Sequence, residues 1–279
     1  MNVRTRFTSP ALRGAAAASL AALVSACAVA PPTLSTDQIA AIVASPDRSA
    51  ADRTNDIRRK PAEMLAFIGV RPGMVALDVS AARGYTTDLV ARAVGPTGKV
   101  YGQNRPPGSA SRPPPAQPEG ASAPPPPSPV VAAPAPTLAE RAKNPATSHI
   151  VPVARPFEDP APPEVADGGL DLVTLMFNYH DFGHLGVDRA AVNRAVFRAL
   201  KPGGLYVIAD HSGRSGTGIS ESGTLHRIEE SFVKQEVEAA GFRLLAVGNF
   251  MRNPNDPRDR NTPEPPMPKD EFVLKFVKP

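Results

Sequence analysis

The segment Arg71–Leu89, with the sequence RPGMVALDVSAARGYTTDL, decides the fold of this 279-residue chain. Its Pro-Gly pair at 72–73 forms a turn, and residues 74–79 are an apolar run of the length of a buried strand. Small residues follow up to Gly84, after which a threonine can open a helix. A strand, a tight loop and a helix N-terminus in this order predict a pocket for a nucleotide-like ligand at the carboxyl edge of a parallel sheet.

The position of the acidic residue distinguishes this loop from a dinucleotide-binding loop. A dinucleotide loop has its acid about 20 residues after the glycines, whereas Asp78 lies just before the loop. This arrangement resembles the first motif of class I S-adenosylmethionine-dependent methyltransferases, an acid followed by Gly-x-Gly-x-Gly. In that alignment Ser80, Ala82 and Gly84 take the three glycine positions, so two of the three are not glycine.

Further motifs in the same order extend the resemblance over most of the chain. They are a Gly-Pro-Thr-Gly-Lys-Val strand start at 95–100, a Leu-Lys-Pro-Gly-Gly turn at 200–204 and an Ala-Gly-Phe junction at 240–242. The segment 178–182, Asn-Tyr-His-Asp-Phe, is similar to a motif of an uncharacterised predicted-methyltransferase branch. The resemblance implies a single Rossmann-like α/β domain with helices on both faces of a mostly parallel seven-stranded sheet, whose last strand is antiparallel.

Hydrophobic patterning predicts where the remaining elements lie. Pro152 places the third strand at a sheet edge, since proline removes a ladder hydrogen bond. The charged segment 45–60 is expected to be mainly a solvated connector, although 52–56 is dense in hydrogen-bonding groups. Strands are predicted at 74–79, 99–102, 149–153, 170–177, 205–209, 243–247 and 272–276, and helices at 36–44, 61–68, 87–94, 187–200 and 228–240.

Residues 1–27 have the pattern of an export signal. Arginines at positions 4, 6 and 13 precede an apolar stretch at 15–26 that is too short to span a bilayer, which takes about 20 residues. The stretch ends in Leu-Val-Ser-Ala-Cys, which resembles a bacterial lipobox with Cys27 as the lipidated residue. We therefore expect an exported, periplasm-facing lipoprotein of the cell envelope. The alternative is an uncleaved signal with an unmodified cysteine.

Composition limits what the mature chain can do. The formal net charge is +4, and removal of residues 1–26 takes away three arginines and no acids, which leaves +1. This is too little basic charge to predict a nucleic-acid partner. Cys27 is the only cysteine, so the mature body has no thiol nucleophile and no disulfide.

The domain organisation follows from the same composition. Residues 28–60 are predicted to be a tether with an N-terminal helical segment, and 61–279 the methyltransferase-like domain. Proline accounts for 34 residues and is concentrated in a Pro/Ala/Ser-rich stretch at 105–136. Such a stretch lacks the apolar content to pack, so we expect a disordered insertion that interrupts the domain. A short helix at 137–143 is expected to follow it.

Candidate site residues lie where the parallel strands end, because the carboxyl ends of these strands converge on one crevice. For catalysis we select His180 as general base, oriented by Asp181 or His211, since histidine can accept a proton near neutral pH. The resemblance implies S-adenosylmethionine as cofactor. The residues expected to bind it are Asp78, Ser80, Ala82, Gly84, Asn104 at the ribose position, Glu158 and Asp159 near adenine, and Asn178 and Tyr179 beside the acceptor.

Three functions stay open from the sequence. The first is methyl transfer from S-adenosylmethionine to an unidentified small molecule or envelope component. The second is a degenerate member that binds a ligand without catalysis, suggested by Ser80, Ala82 and Asn104 and by the cytoplasmic origin of S-adenosylmethionine. The third is a metal-dependent hydrolase using His180, Asp181, His184 and His211, although the sequence lacks a His-Glu-x-x-His pattern and we expect no resident metal. The acceptor and the oligomeric state are not predicted.

Overall fold

The computed structural model describes residues 1–3, 32–108, 134–261 and 267–279. The predicted signal with Cys27 and most of the predicted 105–136 insertion lie outside the described residues. Residues Pro31–Pro279 form one compact unit, to which the described part of the predicted tether also belongs. In the ranges that the structure describes, no helix has the length and apolar character needed to cross a membrane.

Within the described residues, seven strands form one sheet in the order β3-β2-β1-β4-β5-β7-β6. All neighbouring pairs are parallel except those made by β7, which runs antiparallel to β5 and β6. The predicted α/β architecture is therefore confirmed, with the third strand at the edge. The strands are β1 (Val75–Val79), β2 (Lys99–Asn104), β3 (Ile150–Ala154), β4 (Leu170–Met176), β5 (Leu200–His211), β6 (Arg243–Gly248) and β7 (Glu271–Val277).

Helices cover both faces of the sheet. The α-helices in the described ranges are α1 (Thr36–Ala44), α2 (Ala50–Arg59), α3 (Pro61–Ile68), α4 (Tyr85–Val94), α5 (Leu138–Arg141), α6 (Asp181–His184), α7 (Arg189–Ala199) and α8 (Glu230–Ala239). Side chains of α1, α3 and α4 pack with Ala76 and Leu172 of the sheet on one face. Side chains of α7 and α8 pack with Leu77 and Val173 on the other face. Successive residues of a buried strand thus serve opposite faces, as the pleat requires.

The predicted connector at 45–60 is wrong for most of its length, because residues 50–59 form α2. The Ser49 side chain caps this helix by accepting a hydrogen bond from the Asp52 N–H. Asp52 pairs with Arg141, and the two side chains are only 1% and 3% exposed. The local sequence pattern cannot reveal this burial, because Arg141, the partner of Asp52, lies 89 residues away. The charged residues predict solvent exposure, whereas in the fold Asp52 is buried in an ion pair with Arg141.

Candidate functional site

The loop after β1 has a left-handed backbone at each position that the resemblance assigns to glycine. The φ angles of Ser80, Ala82 and Gly84 are 58°, 50° and 81°. Two L-residues therefore adopt a conformation that favours glycine. Side chains of β2 hold them there: Gln103 Oε1 accepts the Ser80 N–H at 2.9 Å, and Asn104 Oδ1 accepts the Ala82 N–H at 2.8 Å.

Gly84 is favoured by its backbone angle and by close packing. A Cβ at this position would lie 2.6 Å from Leu138 Cδ2, closer than real Cβ contacts come. Leu138 opens α5, so this short helix presses against the end of the loop. A side chain at this position would therefore displace the tip of Leu138 and would also be strained by the positive φ of 81°.

Asp78 lies beneath the loop and is 3% exposed. Its carboxylate oxygens accept hydrogen bonds from the hydroxyls of Thr87, at 2.6 Å, and Thr174, at 2.7 Å. Burial raises the pKa of Asp78 to about 6, even though both hydroxyls favour the charged form. The acid at the end of β1 therefore fastens the loop and α4 to β4.

A cavity of about 230 Å³ opens above this loop. It lies between β1 and β4, where the strand order of the sheet changes direction and where open α/β sheets bind ligands. Helix α2 forms the opposite wall. The lining includes Asp52, Asn55 and Arg59 from α2, Asp78, Ser80, Ala81, Ala82 and Arg83 from the loop region, and Met176 and Asn178 from the end of β4.

Arg59 contributes the cationic group of this wall. Its guanidinium lies 3.8 Å above the centre of the Phe177 ring, and it makes no hydrogen bond to another residue in the described ranges. Burial, together with the nearby Arg58 charge, lowers the pKa of Arg59 to about 10, so the group stays charged at neutral pH. Phe177 itself has a φ of 61°, which is uncommon for an aromatic residue and turns the chain at the end of β4.

A second group of polar residues lies beyond Asn178. His180 is 3% exposed, with Nδ1 2.6 Å from Asp210 Oδ1 and Nε2 3.0 Å from Asp181 Oδ1. Burial alone would lower the pKa of His180, but the two carboxylates outweigh it and raise the pKa to about 9. Both ring nitrogens are thus held by carboxylates, which counts against His180 as a general base.

Two more histidines surround Asp181. His226 Nδ1 lies 3.1 Å from Asp181 Oδ1, and the ring of His184 lies 5.6 Å from that of His226. His180, Asp181 and His226 each offer a ligand atom, and these atoms all lie within 4.8 Å of one another. This is the group in the described residues that could hold a metal ion, and it includes His226 in place of the predicted His184 and His211.

His211 has a different environment. Its ring packs against those of Phe177 and His180, each at 5.5 Å between centres. Nδ1 lies 3.0 Å from Glu271 Oε1 without forming a hydrogen bond to any described residue. Burial lowers the pKa of His211 to about 3, despite the nearby Asp210 carboxylate. His211 is therefore a neutral imidazole that connects the Arg59–Phe177 wall to His180.

The structure brings only part of the predicted binding set to the cavity. Asp78, Ser80, Ala82 and Asn178 line it, and the Ser80 hydroxyl donates to Asn178 Oδ1 at 2.8 Å. Asn104 uses its amide on the Ala82 backbone rather than pointing it freely at a ligand.

Four other predicted binding residues, Gly84, Glu158, Asp159 and Tyr179, do not line this cavity. Tyr179 is fully buried in the core on the α7–α8 face, where its hydroxyl donates to Glu236 at 2.9 Å. Glu158 accepts the Asp188 N–H, and Asp159 accepts from Arg155. Their predicted contacts with adenine stay predictions.

Sequence reasoning missed the arginines of the site. Arg59 and Arg141 lie in segments without an apolar pattern, and Arg141 belongs to the short helix expected after the disordered stretch. The dense run of hydrogen-bonding residues at 52–56 is the signal in the sequence for α2 as a wall of the cavity. For His226, the signal was its position just before the predicted helix at 228–240, near the same rim of the sheet.

Comparisons with known proteins agree with this architecture. No protein-family model matches the sequence, and no curated protein matches it. Among solved structures, a SAM-dependent methyltransferase from Aquifex aeolicus has a TM-score of 0.53 and 17% identity, covering 88% of this chain and 100% of its own. The [4+2]-cyclase SpnF has a TM-score of 0.50 and 15% identity, covering 91% and 89%.

A third structure is similar to the same extent. It is a chain from the complex of the Haloferax volcanii Trm112 methyltransferase activator with a proposed methyltransferase, with a TM-score of 0.53, 14% identity and coverage of 88% and 100%. Identity at this level speaks to the fold alone, and one of the three similar proteins is named as a cyclase. The chain therefore has the Rossmann-like α/β fold that class I S-adenosylmethionine-dependent methyltransferases share.

Proposed function

We propose that the chain binds S-adenosylmethionine in the cavity between β1 and β4 and transfers its methyl group to a small molecule or an envelope component. The observation that supports this most is the left-handed backbone of Ser80, Ala82 and Gly84 at the switch point of the sheet. The chain maintains this loop shape with two residues for which it is unfavourable. A strained left-handed backbone beside an open cavity indicates that a ligand binds to this loop conformation.

Arg59 is our candidate for the carboxylate of the methionine part of the ligand. Its guanidinium lines the cavity, stays charged and has donors that no other described residue uses. An arginine can bind a carboxylate through two parallel hydrogen bonds. Asn178, whose side chain already meets Ser80, offers amide groups on the β4 side of the cavity.

The same geometry favours a methyl acceptor that can attack without first losing a proton to a base of the enzyme. Asp181 and Asp210 occupy both ring nitrogens of His180, so neither is free to take a proton from an acceptor, and the low pKa of His211 makes it a weak proton acceptor. General bases work best with a pKa near the working pH. A thiolate or an amine would attack the sulfonium methyl carbon in line and displace S-adenosylhomocysteine, with the enzyme mainly positioning the two reactants.

Calorimetric titration of the purified chain with S-adenosylmethionine and S-adenosylhomocysteine tests the cofactor. We expect a dissociation constant below about 100 μM, roughly −5.5 kcal/mol. Arg59→Ala should weaken binding about tenfold or more through loss of a charge-assisted hydrogen bond. Arg53→Ala, an exposed arginine of the same helix, serves as the matched control and should bind like the wild type. Absence of binding at millimolar ligand would contradict the proposal.

A non-catalytic binding protein is the second candidate. The observation that favours it is the Asn104 side chain, which donates to Ala82 O at 3.0 Å in addition to accepting the Ala82 N–H. An amide used in this way has less capacity left for ribose hydroxyls than the usual carboxylate. Cofactor binding without release of S-adenosylhomocysteine, under incubation with thiol and amine acceptors, would favour this second candidate.

We also propose that the chain is exported and carries lipid on Cys27. The support is the arginine-rich start, the short apolar stretch and the Leu-Val-Ser-Ala-Cys sequence before the body of the protein. Anchoring of this kind would place the cavity on the periplasmic side of a membrane, where the acceptor would be an envelope component.

A further inference from the structure

We propose that His180, Asp181 and His226 bind one Zn²⁺ ion, with Asp210 holding His180 in the required tautomer. The residues come from the turn after β4, from α6 and from the segment that leads to α8. The Oδ1 atom of Asp181 lies 3.0 Å from His180 Nε2 and 3.1 Å from His226 Nδ1. Ligand atoms around a tetrahedral zinc ion with bonds of about 2.0–2.1 Å are separated by about 3.3 Å, close to these two distances, and the three ligand atoms here all lie within 4.8 Å of one another.

The arrangement around His180 leaves a position for a cation. Asp210 accepts the backbone N–H of His180 at 2.8 Å and lies 2.6 Å from its Nδ1, so the Nδ1 proton belongs to this carboxylate. In a neutral imidazole Nε2 then carries a lone pair, and it faces a carboxylate oxygen of Asp181. Two lone pairs at 3.0 Å repel each other unless a proton or a metal ion lies at this junction, and a metal ion would satisfy His226 as well.

Asp210 is the carboxylate that would accept the second ring N–H of His180 if this histidine bound a metal ion through Nε2. A ligating histidine usually donates its other N–H to a carboxylate, which fixes its tautomer and ring orientation. Asp210 is fully buried, and it also accepts the backbone N–H of His211 at 2.8 Å, so its own position is fixed. The carboxylate–histidine pair is therefore rigid before any ion binds.

His184 is the neighbouring imidazole that we do not include. The Ser222 hydroxyl donates to the carbonyl oxygen of His180 at 2.5 Å, so it can only accept from His184 Nδ1 at 3.0 Å. The proton of His184 thus lies on Nδ1, and this ring is not part of the group whose ligand atoms all lie within 4.8 Å of one another. Three ligands remain, two imidazoles and one carboxylate, a set that suits zinc with an open position for water.

Access and strain agree with a bound ion. The side chains of Asp181 and His226 are 24% and 41% exposed, so an ion can reach the group from solvent and keep one position open. His226 also has a φ of 50°, which few residues other than glycine adopt. Strained backbone of this kind is often found where a side chain must be aimed at a ligand.

The test measures zinc on the full chain, purified without a polyhistidine tag and stripped with a chelator. Zinc content after dialysis against Zn²⁺, and Zn²⁺ titration against a chromophoric chelator, give stoichiometry and affinity. The variant is His226→Gly, because glycine fits the left-handed backbone while it removes the imidazole. The control is His149→Gln, a histidine whose Nε2 contacts Ala91 O at 2.7 Å and which lies outside the group.

We expect one Zn²⁺ per chain in the wild type and in His149→Gln. In His226→Gly the affinity should fall by more than the roughly 10–100-fold that loss of an outer partner costs, with an unchanged thermal transition of the metal-free protein. Less than stoichiometric zinc in the wild type, or equal affinity in His226→Gly, would overturn the proposal. These readouts use no S-adenosylmethionine, so they are independent of whether the proposed methyl transfer holds.

Discussion

Asn104 holds the backbone of Ala82 through both groups of its side-chain amide. Its oxygen accepts the Ala82 N–H at 2.8 Å and its nitrogen donates to the Ala82 carbonyl at 3.0 Å. The residue at the ribose position of the family is thereby used to maintain the loop. This pairing explains how alanine can occupy a left-handed position that the resemblance reserves for glycine.

Asn104→Asp tests which role the side chain has. The aspartate would lose the donor and place a charge beside the Ala82 carbonyl, so the free energy of unfolding should fall by about 1–2 kcal/mol. We expect affinity for S-adenosylmethionine to stay within about threefold, measured by calorimetry beside denaturant unfolding. A gain of tenfold or more would show that the ribose contact, and not the loop, determines the role of this position.

Replacing Ala82 by glycine should stabilise the protein. The left-handed backbone costs an L-residue roughly 1–2 kcal/mol, and glycine loses about 0.5–1 kcal/mol through its greater freedom in the unfolded chain, so the net gain is about 0.5–1 kcal/mol. The matched control is Ala81→Gly, since Ala81 does not have a positive φ and should lose stability. Urea unfolding gives both values, and equal losses in the two variants would contradict the strain at Ala82.

The buried pair of Asp52 and Arg141 should be essential for the position of α2. Arg141 donates to both carboxylate oxygens of Asp52, at 2.9 and 2.8 Å. Asp52→Ala leaves the guanidinium buried without this partner, which typically costs about 3–5 kcal/mol. Asp47→Ala is the control, because Asp47 is 39% exposed in its pair with Arg92 and should cost at most about 1 kcal/mol.

Denaturant unfolding measures both variants. A double variant separates the effect of charge from that of packing. Replacing both residues, with Asp52→Leu and Arg141→Met, should recover much of the free energy of unfolding that Asp52→Ala loses. If Asp52→Ala and Asp47→Ala cost the same, the pair is not the anchor of α2 that the structure shows.

Asp78 should give the protein a pH-dependent stability. Its pKa in the folded state, about 6, lies above the ordinary value of 3.8. Between these values the folded chain keeps a proton that the unfolded chain has released, so stability falls as the pH rises through this window, by at most about 1.4 kcal/mol per pH unit. Asp78→Asn should remove this contribution, and unfolding curves between pH 4 and 7 measure it. Asp37→Asn, an exposed carboxylate on α1, should leave the slope unchanged; an unchanged slope in Asp78→Asn would refute the assignment.

Lipid attachment can be tested through Cys27. Expression of the wild type in a Gram-negative host with labelled palmitate should give a lipid-labelled, membrane-associated protein. Cys27→Ser should lose the label and leave the membrane fraction, because no other thiol exists in the chain. Unlabelled wild-type protein would contradict the lipobox interpretation.

Part of the candidate site was accessible from sequence because it follows directly from strand ends. An apolar run such as 74–79 predicts a strand, and the residues just after parallel strands must meet at one edge. Asp78, Ser80, Ala82 and Asn178 were found in this way and line one cavity. The prediction for Tyr179 fails because, beyond the turn at Phe177, its ring packs in the core on the α7–α8 face of the sheet.

The sequence by itself determined the α/β architecture, the order of its elements and the loop that ends β1, because these depend on local patterns of apolar, small and turn residues. Only the tertiary structure decided which polar groups meet: Asp52 with Arg141, Arg59 with Phe177, and Asp181 with His226. Such pairs join residues far apart in the chain, and their contribution to stability depends on the distance between the two groups and on their desolvation. A local sequence pattern contains neither the distance between two charged groups nor their degree of burial. A run of charged residues therefore does not distinguish a solvated connector from the wall of a binding cavity.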